Sequence, residues 1–294
     1  MVWGSELWVL SGYPERMSVV SDGPYAGLTL NELVAKEKER LVGKEVYRRF
    51  GDEFPLLVKF LDVHAPLSIQ VHPSEELASA RHGAHGKNEM WYVIRAEEGA
   101  KLLSGFSKSI TPADYARMAV DGSLVEAIAE HSIAPGDVFY IPTGRVHALC
   151  EGCYVAEIQQ TSDMTYRIFD YGRKGLDGKL RQLHTELAAD ALDYTVYDSY
   201  RTRWTPNPDG EAALVDCPHF STSLLDLGMP YEKDLSGLDS FLIVMCLEGS
   251  GTLRSGSETV PLAADQCVLV PACCSGVSFN PDTGGRFRML LSHL

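Results

Sequence analysis

Short runs of apolar and β-branched residues, separated by Gly, Pro and Asp, are the dominant pattern along the chain. Runs of this length between turn-forming residues are typical of β-strands. They predict strands at Phe54–Leu61, Leu67–Val71, Met90–Ile94, Asp137–Ile141, Tyr154–Gln159, Phe241–Leu247, Cys267–Val270 and Phe287–Leu291. The spacing of these strands favours a mainly β protein arranged as a sandwich or a barrel.

Helical signals are fewer and have clear boundaries. Thr29 and Glu32 form a capping-box pattern, which predicts a helix that ends at Gly43. Further helices are predicted to begin at Thr111 and Ser123 and to cover His184–Leu192. The two that begin at Thr111 and Ser123 lie between predicted strands, so we expect a small helical insert at about residues 107–131.

A cluster of prolines around residues 204–217 reads as a loop and marks a candidate domain boundary. The Gly-Asp-apolar-Pro pattern of residues 136–142 is similar to residues 265–271 in the second block. We therefore expect two domains, residues 1–205 and residues 206–294, related by a weak internal duplication of a small barrel. Two unrelated strand runs with similar turns are the alternative explanation.

The composition limits the classes of protein that need to be considered. A hydrophobic content of 45 % is sufficient for a large core. The longest apolar run, Phe241–Leu247, is much shorter than the roughly 20 residues of a membrane-spanning helix. The N-terminus carries no basic flank before an apolar stretch. The seven cysteines are odd in number, which favours reduced thiols. We therefore expect a soluble cytoplasmic protein.

The charge balance argues against a polyanionic partner. Forty acidic and 26 basic residues give a formal net charge of -14, which repels nucleic acid and anionic membranes. The same field opposes a small anionic substrate. A phosphate site would therefore require a local cluster of Lys and Arg.

The candidate chemistry lies in three separate stretches of the chain. Alternation along a strand predicts that Ser68, Gln70 and His72 share one face, and three polar groups inside a barrel need a partner. Glu89 precedes an apolar strand, and His147 follows the turn after Pro142. Together Gln70, His72, Glu89 and His147 offer two nitrogens and two oxygens, a set that suits Zn²⁺. Because no cysteine lies in these motifs, we expect a catalytic ion with an open position.

Several motifs in order along the chain resemble the type I mannose-6-phosphate isomerases of the short bacterial kind, which are zinc-dependent cupins. The motifs are Gln70–Pro73, Gly86–Tyr92, Pro142–Ala148, Glu157–Arg167 and Phe169–Arg173. The resemblance implies two cupin (jelly-roll) barrels in tandem. Residues 1–205 would form the catalytic barrel with the helical insert, and residues 206–294 a degenerate barrel without metal, because Gly276 replaces a histidine. Relatives begin with a further strand-forming segment, so we expect a short N-terminus.

The resemblance also assigns roles to residues. It implies that Gln70, His72, Glu89 and His147 bind one zinc ion per chain, although some relatives carry lysine in place of Gln70. It implies that Arg167 lies over the substrate, a small phosphorylated sugar, and it aligns Lys87 and Ser68 with further site positions that we expect to contact the substrate.

The expected activity is the interconversion of mannose 6-phosphate and fructose 6-phosphate by proton transfer through an enediol. Arg167 either binds phosphate or stabilises the enediolate. Lys87 either contacts the substrate or transfers the proton, the latter if burial lowers its pKa. Ser68 is a phosphate donor or only a strand hydroxyl. A metal-dependent cupin oxygenase and a non-catalytic sugar-binding cupin are the alternatives, and the sequence leaves the oligomeric state open.

Overall fold

The computed structural model describes residues 1–294, and the fold is mainly β, as the sequence predicts. The first ten strands are β1 (Gly4–Ser11), β2 (Leu56–Val63), β3 (Ile69–Val71), β4 (Glu89–Ala96), β5 (Lys101–Phe106), β6 (Ile128–Ser132), β7 (Val138–Ile141), β8 (His147–Leu149), β9 (Cys153–Gln160) and β10 (Tyr166–Phe169). The remaining strands are β11 (Glu211–Cys217), β12 (Phe220–Leu227), β13 (Tyr231–Asp234), β14 (Leu242–Ser255), β15 (Glu258–Ala263), β16 (Cys267–Val270), β17 (Gly276–Pro281) and β18 (Phe287–His293).

Helices form a smaller part of the fold. The α-helices are α1 (Leu30–Glu37), α2 (Glu39–Val42), α3 (Lys44–Phe50), α4 (Glu75–His82), α5 (Pro112–Asp121) and α6 (Thr185–Ala191). Short 3₁₀ helices cover Pro14–Arg16, Gly23–Tyr25 and Ser123–Ala127. None of the helices combines the length and the apolar character that crossing a lipid bilayer requires.

The chain divides into two compact units, and the first consists of residues 1–7 and 59–202. It contains two five-stranded sheets, with strand orders β1-β2-β9-β4-β7 and β10-β3-β8-β5-β6. Apolar side chains from β3, β8, β10, α5 and α6 form one core cluster, and side chains from β4, β7 and β9 form another. These cores hold the strands that carry the predicted site residues.

The second unit consists of residues 8–58 and 203–294. It contains α1 to α3 and an eight-stranded sheet of order β11-β12-β18-β14-β17-β13, with β15 and β16 also paired to β14. Asp239 connects α3 to the C-terminal part of this unit. Its carboxylate accepts hydrogen bonds from the backbone N–H groups of Lys44 (2.8 Å) and Glu45 (3.2 Å) at the start of α3. Residues 8–58 therefore group with the C-terminal residues 203–294. The sequence-based division into a catalytic domain, residues 1–205, and a second domain, residues 206–294, remains a prediction.

Several local predictions are confirmed in the structure. The capping box at Thr29 is formed, as is a second capping box at Thr111, which opens α5 with Pro112 in its first turn. The fourth predicted helix corresponds to α6. These elements were predictable because the signals that set them are local.

Other local predictions are wrong, and the backbone shows why. The helix predicted to run to Gly43 is interrupted at Lys38, whose φ of 50° separates α1 from α2. The segment from Ser123 is a 3₁₀ helix, and the loop predicted up to Cys217 contains β11. The strand predicted to end at Leu247 continues to residue 255, because a register shift and Gly249 (φ 80°) bend β14 without ending it.

Candidate metal centre and substrate pocket

Four adjacent strands of the second sheet bring distant residues into one row. In the register of β10, β3, β8 and β5, Arg167 lies opposite Gln70, Gln70 lies opposite His147, and His147 lies opposite Ser104. Directly opposed residues present their side chains on the same face of a sheet. The tertiary structure therefore brings three of the predicted site residues together on one surface.

The alternation predicted for β3 is confirmed. Ile69 and Val71 are fully buried in an apolar core cluster, whereas Ser68 and Gln70 line an open pocket. His72 follows the strand and is also buried, with 1 % of its surface exposed. Strand periodicity thus separates the core residues from the site residues.

His72, Glu89 and His147 form a buried cluster in which one ligand atom from each lies within 4.8 Å of the others. Glu89 comes from β4 of the first sheet, and His147 from β8 of the second. The Oε2 atom of Glu89 is 3.3 Å from Nε2 of His72, and its Oε1 atom is 3.4 Å from Nε2 of His147. Two sheets therefore converge on one small polar space.

Backbone carbonyls fix the tautomers of both histidines. Nδ1 of His72 is 2.9 Å from the carbonyl oxygen of Met164, and Nδ1 of His147 is 2.8 Å from that of Arg145. A carbonyl only accepts, so Nδ1 carries the proton and Nε2 of each neutral ring keeps its lone pair. Burial lowers the pKa of His72 to about 4 and also lowers the pKa of His147. Both imidazoles are neutral at pH 7, the form that binds metals.

The cluster fits a metal ion. Nε2 of His72 and Oε1 of Glu89 are buried and form no hydrogen bond, which is costly for polar atoms inside a protein. The side-chain amide of Gln70 is next to them, with its Nε2 atom 3.2 Å from Nε2 of His147. A flip of this amide exchanges nitrogen for oxygen. Gln70 can therefore supply a fourth metal-ligand atom, its amide oxygen, in addition to the two histidine nitrogens and the carboxylate of Glu89.

Lys87 is the cation closest to this cluster. Its Nζ atom lies 3.0 Å from Oε2 of Glu89, and its side chain is 5 % exposed. Burial favours the neutral amine, but the carboxylates of Glu89, Glu157 and Asp163 outweigh burial and raise the pKa of Lys87. The lowered pKa that would make Lys87 a base is therefore absent in this structure.

An open pocket of about 270 Å³ lies beside the cluster, within the first unit. Gln70 and Lys87 line the pocket and also contact the cluster. The other charged residues that line the pocket are Lys59, Arg167, Arg181, Glu6, Glu157 and Asp163. Four cations face three carboxylates here, whereas the whole chain has a net charge of -14. The pocket therefore has a small local excess of positive charge, in which Lys59, Lys87 and Arg181 are each paired with a carboxylate and Arg167 is not.

Arg167 and Ser68 both line this pocket. Nη1 of Arg167 donates to the carbonyl oxygen of Gln182 at 2.9 Å, while its buried Nε has no hydrogen-bond partner. Arg167 forms no ion pair, and its pKa is lowered chiefly by burial. An arginine in this state retains donors for an anionic ligand.

Lys59 and Glu157 are pocket residues that the sequence analysis did not assign to the site. Their side chains are 4 % and 6 % exposed, and Nζ lies 3.2 Å from Oε1. Oε2 of Glu157 accepts a hydrogen bond from Nε1 of Trp91 at 2.9 Å. The available signal was Lys59 itself, a single cation within the otherwise apolar run of residues 54–61. His184 lines the pocket as well, although it is not part of the metal cluster.

The spacing of Cys150 and Cys153 is typical of metal or redox pairs, but these residues lie outside the site. Both thiols are free and buried. Burial raises the pKa of Cys150 to about 11 and that of Cys153 to about 12. The thiolate is the reactive form of cysteine, so these side chains act as core residues.

The fold and the site together define a mainly β protein with a candidate metal site and a polar pocket beside it. Comparisons with known proteins are more specific. The family described as phosphomannose isomerase type I, catalytic domain, matches residues 4–99. The chain is 33 % identical to mannose-6-phosphate isomerase ManA of Bacillus subtilis, covering 90 % of this chain and 83 % of that protein. It is also 33 % identical to the mannose-6-phosphate isomerase of Streptococcus mutans, covering 94 % and 85 %.

Comparison with a solved structure also points to the mannose 6-phosphate isomerases. The crystal structure of the mannose 6-phosphate isomerase from Bacillus subtilis superimposes with a TM-score of 0.87 at 33 % identity, covering 99 % of this chain and 90 % of that chain. The chain belongs to the type I phosphomannose isomerase family. The resemblance noted from the motifs is thereby confirmed, as is the prediction that the protein is an isomerase.

Proposed function

We propose that this protein interconverts mannose 6-phosphate and fructose 6-phosphate with one zinc ion per chain. The observation that carries the proposal is the buried set of His72, Glu89 and His147, which has unpaired donor atoms beside a basic-lined pocket. The substrate is taken from the names of the relatives, and the four local cations support a phosphorylated ligand.

Zinc is the metal that this set of donors favours. Two imidazole nitrogens and one or two oxygens at a buried position suit Zn²⁺, and an open position is typical of catalytic sites. Gln70, His72, Glu89 and His147 are the residues that would hold the ion. When bound, zinc supplies positive charge beside the substrate oxygens on which negative charge develops.

The reaction moves a proton between C1 and C2 of the sugar through an enediol. The barrier arises from negative charge on the oxygens as the carbon is deprotonated, so groups aimed at that charge accelerate the step. Arg167 lies opposite Gln70 in the strand register and lines the pocket, and its guanidinium has a free donor. We infer that it binds the phosphate or stabilises the enediolate.

Lys87 and Ser68 complete the substrate contacts in this proposal. The ammonium of Lys87 lies between the pocket and Glu89, where it can donate to a sugar oxygen or a phosphate oxygen. Ser68 is 4 % exposed at the pocket wall and offers a hydroxyl donor. Both residues place hydrogen-bond donors at the wall of the pocket.

We further infer that the protein consists of two tandem cupin barrels, with catalysis confined to the segment 1–205. The support is that all metal-site residues belong to the unit with residues 59–202. In the second unit, the neighbouring strands β12, β18 and β14 contribute Leu225, Met289 and Val244 to an apolar core cluster. Such a cluster suits a barrel that holds no metal.

The decisive experiment combines metal analysis with a coupled assay from mannose 6-phosphate, before and after treatment with a chelator. We expect about one zinc per chain and a loss of activity that zinc restores. A cupin oxygenase would contain iron and would be inactive with zinc. A sugar-binding cupin would bind the phosphosugar without turnover. Either of these results would refute the proposal.

A further inference from the structure

Asn88 lies between two site residues in the sequence, Lys87 and Glu89, yet the mechanism does not use its side chain. It is 7 % exposed, and its amide contacts two other segments of the chain, residues 140–143 and Gln160. A buried side-chain amide whose polar atoms are all hydrogen-bonded restrains the backbone segments that it contacts. Two such segments lead to the histidines of the metal cluster.

Two backbone donors fix the orientation of this network. The backbone N–H of Asn88 donates to Oε1 of Gln160 at 3.0 Å, so this atom of Gln160 is the oxygen. The backbone N–H of Thr143 donates to Oδ1 of Asn88 at 3.1 Å, and the hydroxyl of Tyr140 does so at 3.3 Å. Nδ2 of Asn88 then donates to Gln160 Oε1 at 2.7 Å. The amide of Asn88 therefore joins three segments.

The Gln160 segment determines the position of His72. The backbone N–H of Gln160 donates to the carbonyl of Asn88 at 3.1 Å, which ties the end of β9 to the start of β4. The chain then turns through Ser162 and delivers the carbonyl of Met164, which accepts the Nδ1 proton of His72. The orientation of the His72 ring thus depends on a segment that Asn88 holds.

The Thr143 segment determines the position of His147 and again of His72. Immediately after Thr143, the backbone N–H of Gly144 donates to the carbonyl of His72 at 2.9 Å. The next residue, Arg145, supplies the carbonyl that accepts the Nδ1 proton of His147. Both acceptors that fix the histidine tautomers are therefore within five residues of a contact of Asn88.

We propose that Asn88 is a positioning residue that sets the spacing of the metal ligands. It is next to Glu89 in the chain, and its amide holds the two segments that orient His72 and His147. This inference rests on the metal site of the proposed function. Groups that orient metal ligands typically change metal affinity about 10- to 100-fold when they are removed.

The test measures zinc affinity by competition with a chromophoric chelator. We expect Asn88→Ala to weaken zinc binding about 10- to 100-fold. Gln160→Ala, which removes the other half of the amide pair, should weaken it in the same direction. Gln160→Glu keeps an acceptor for both donors and should remain close to wild type. Asn207→Ala is the matched control, because that asparagine bonds a backbone carbonyl in the other unit.

A purely structural role gives a different result. In that case Asn88→Ala would lower the unfolding temperature of the metal-free protein, while the folded variant would bind zinc with wild-type affinity, which would overturn the inference. If Asn88→Ala does not fold, wild-type zinc affinity in Gln160→Ala overturns it equally. The readout is zinc affinity, so zinc-loaded wild type that fails to isomerise the sugar would refute the proposed function alone.

Discussion

The buried ion pair of Lys59 and Glu157 gives a sharp quantitative prediction. In Lys59→Met, the carboxylate of Glu157 loses its cation while its side chain stays 6 % exposed. At the observed separation of 3.2 Å the attraction is about 5 kcal/mol for an effective dielectric constant of about 20. Desolvation offsets much of this in the intact pair, but removal of one partner leaves a buried charge without its ion-pair partner, which costs about 3–5 kcal/mol. We expect the lower end of this range because Lys87 also interacts electrostatically with Glu157.

Thermal unfolding by calorimetry measures this cost. For a unit of this size, each kcal/mol shifts the midpoint by about 2–4 °C, so we expect a decrease on the order of 10 °C for Lys59→Met. Lys59→Met combined with Glu157→Gln should recover most of the loss, because it removes both charges and keeps an oxygen acceptor for Trp91. Comparison of the single and double variants separates the cost of the unpaired carboxylate from the cost of replacing the lysine side chain by methionine.

Lys101→Met is the matched control for this experiment. Lys101 pairs with Glu130 at 2.7 Å, but the two side chains are 46 % and 55 % exposed. Water screens a pair this accessible, so it contributes little to stability and the midpoint should change far less than in Lys59→Met. A Lys59→Met variant as stable as this control, or a double variant as unstable as the single one, would refute the reasoning.

Three further predictions concern the site and its surroundings. Arg167→Ala should lower kcat/KM by at least about 100-fold with zinc retained, whereas Arg117→Ala on α5 should not, and near wild-type turnover would contradict the assigned role. His147→Ala should reduce zinc content and activity together, and full zinc occupancy would remove His147 from the site. Burial would raise the pKa of Asp170, but hydrogen bonds from Arg181 and Arg173 outweigh it and lower the pKa below 3.8. Asp170→Asn should therefore cost about 1–3 kcal/mol at pH 7, and calorimetry should show this difference shrinking as the pH falls below about 4; a constant difference would exclude the ionic contribution.

Local patterns predicted much of the fold and the identities of the candidate ligands. The capping box at Thr29 and the helix start at Thr111 were readable because the bonds that set them span three residues. Alternation in β3 separated Ile69 and Val71 from Gln70 because a strand has a period of two. The interruption at Lys38 was not predictable, since Lys has no intrinsic preference for a positive φ.

The extent of β14 and the grouping of residues 8–58 also required the structure. The bend at Gly249 depends on a close approach of the backbone of Arg286, where an added Cβ would lie 1.7 Å from the carbonyl oxygen. The capping of α3 by Asp239 joins residues separated by 195 positions. Periodicity carries no information about contacts over such distances.

By itself the sequence determined the mainly β class, the residue types of a metal site and the family, because motifs and alternation are written in consecutive residues. Only the tertiary structure decided that Glu89 of one sheet meets His72 and His147 with their ligand atoms within 4.8 Å of one another. It also decided that Lys59 pairs with Glu157 and that the carboxylates around Lys87 raise its pKa. The physical reason is that strand register and burial place charges a few ångströms apart, and those distances set protonation and pairing.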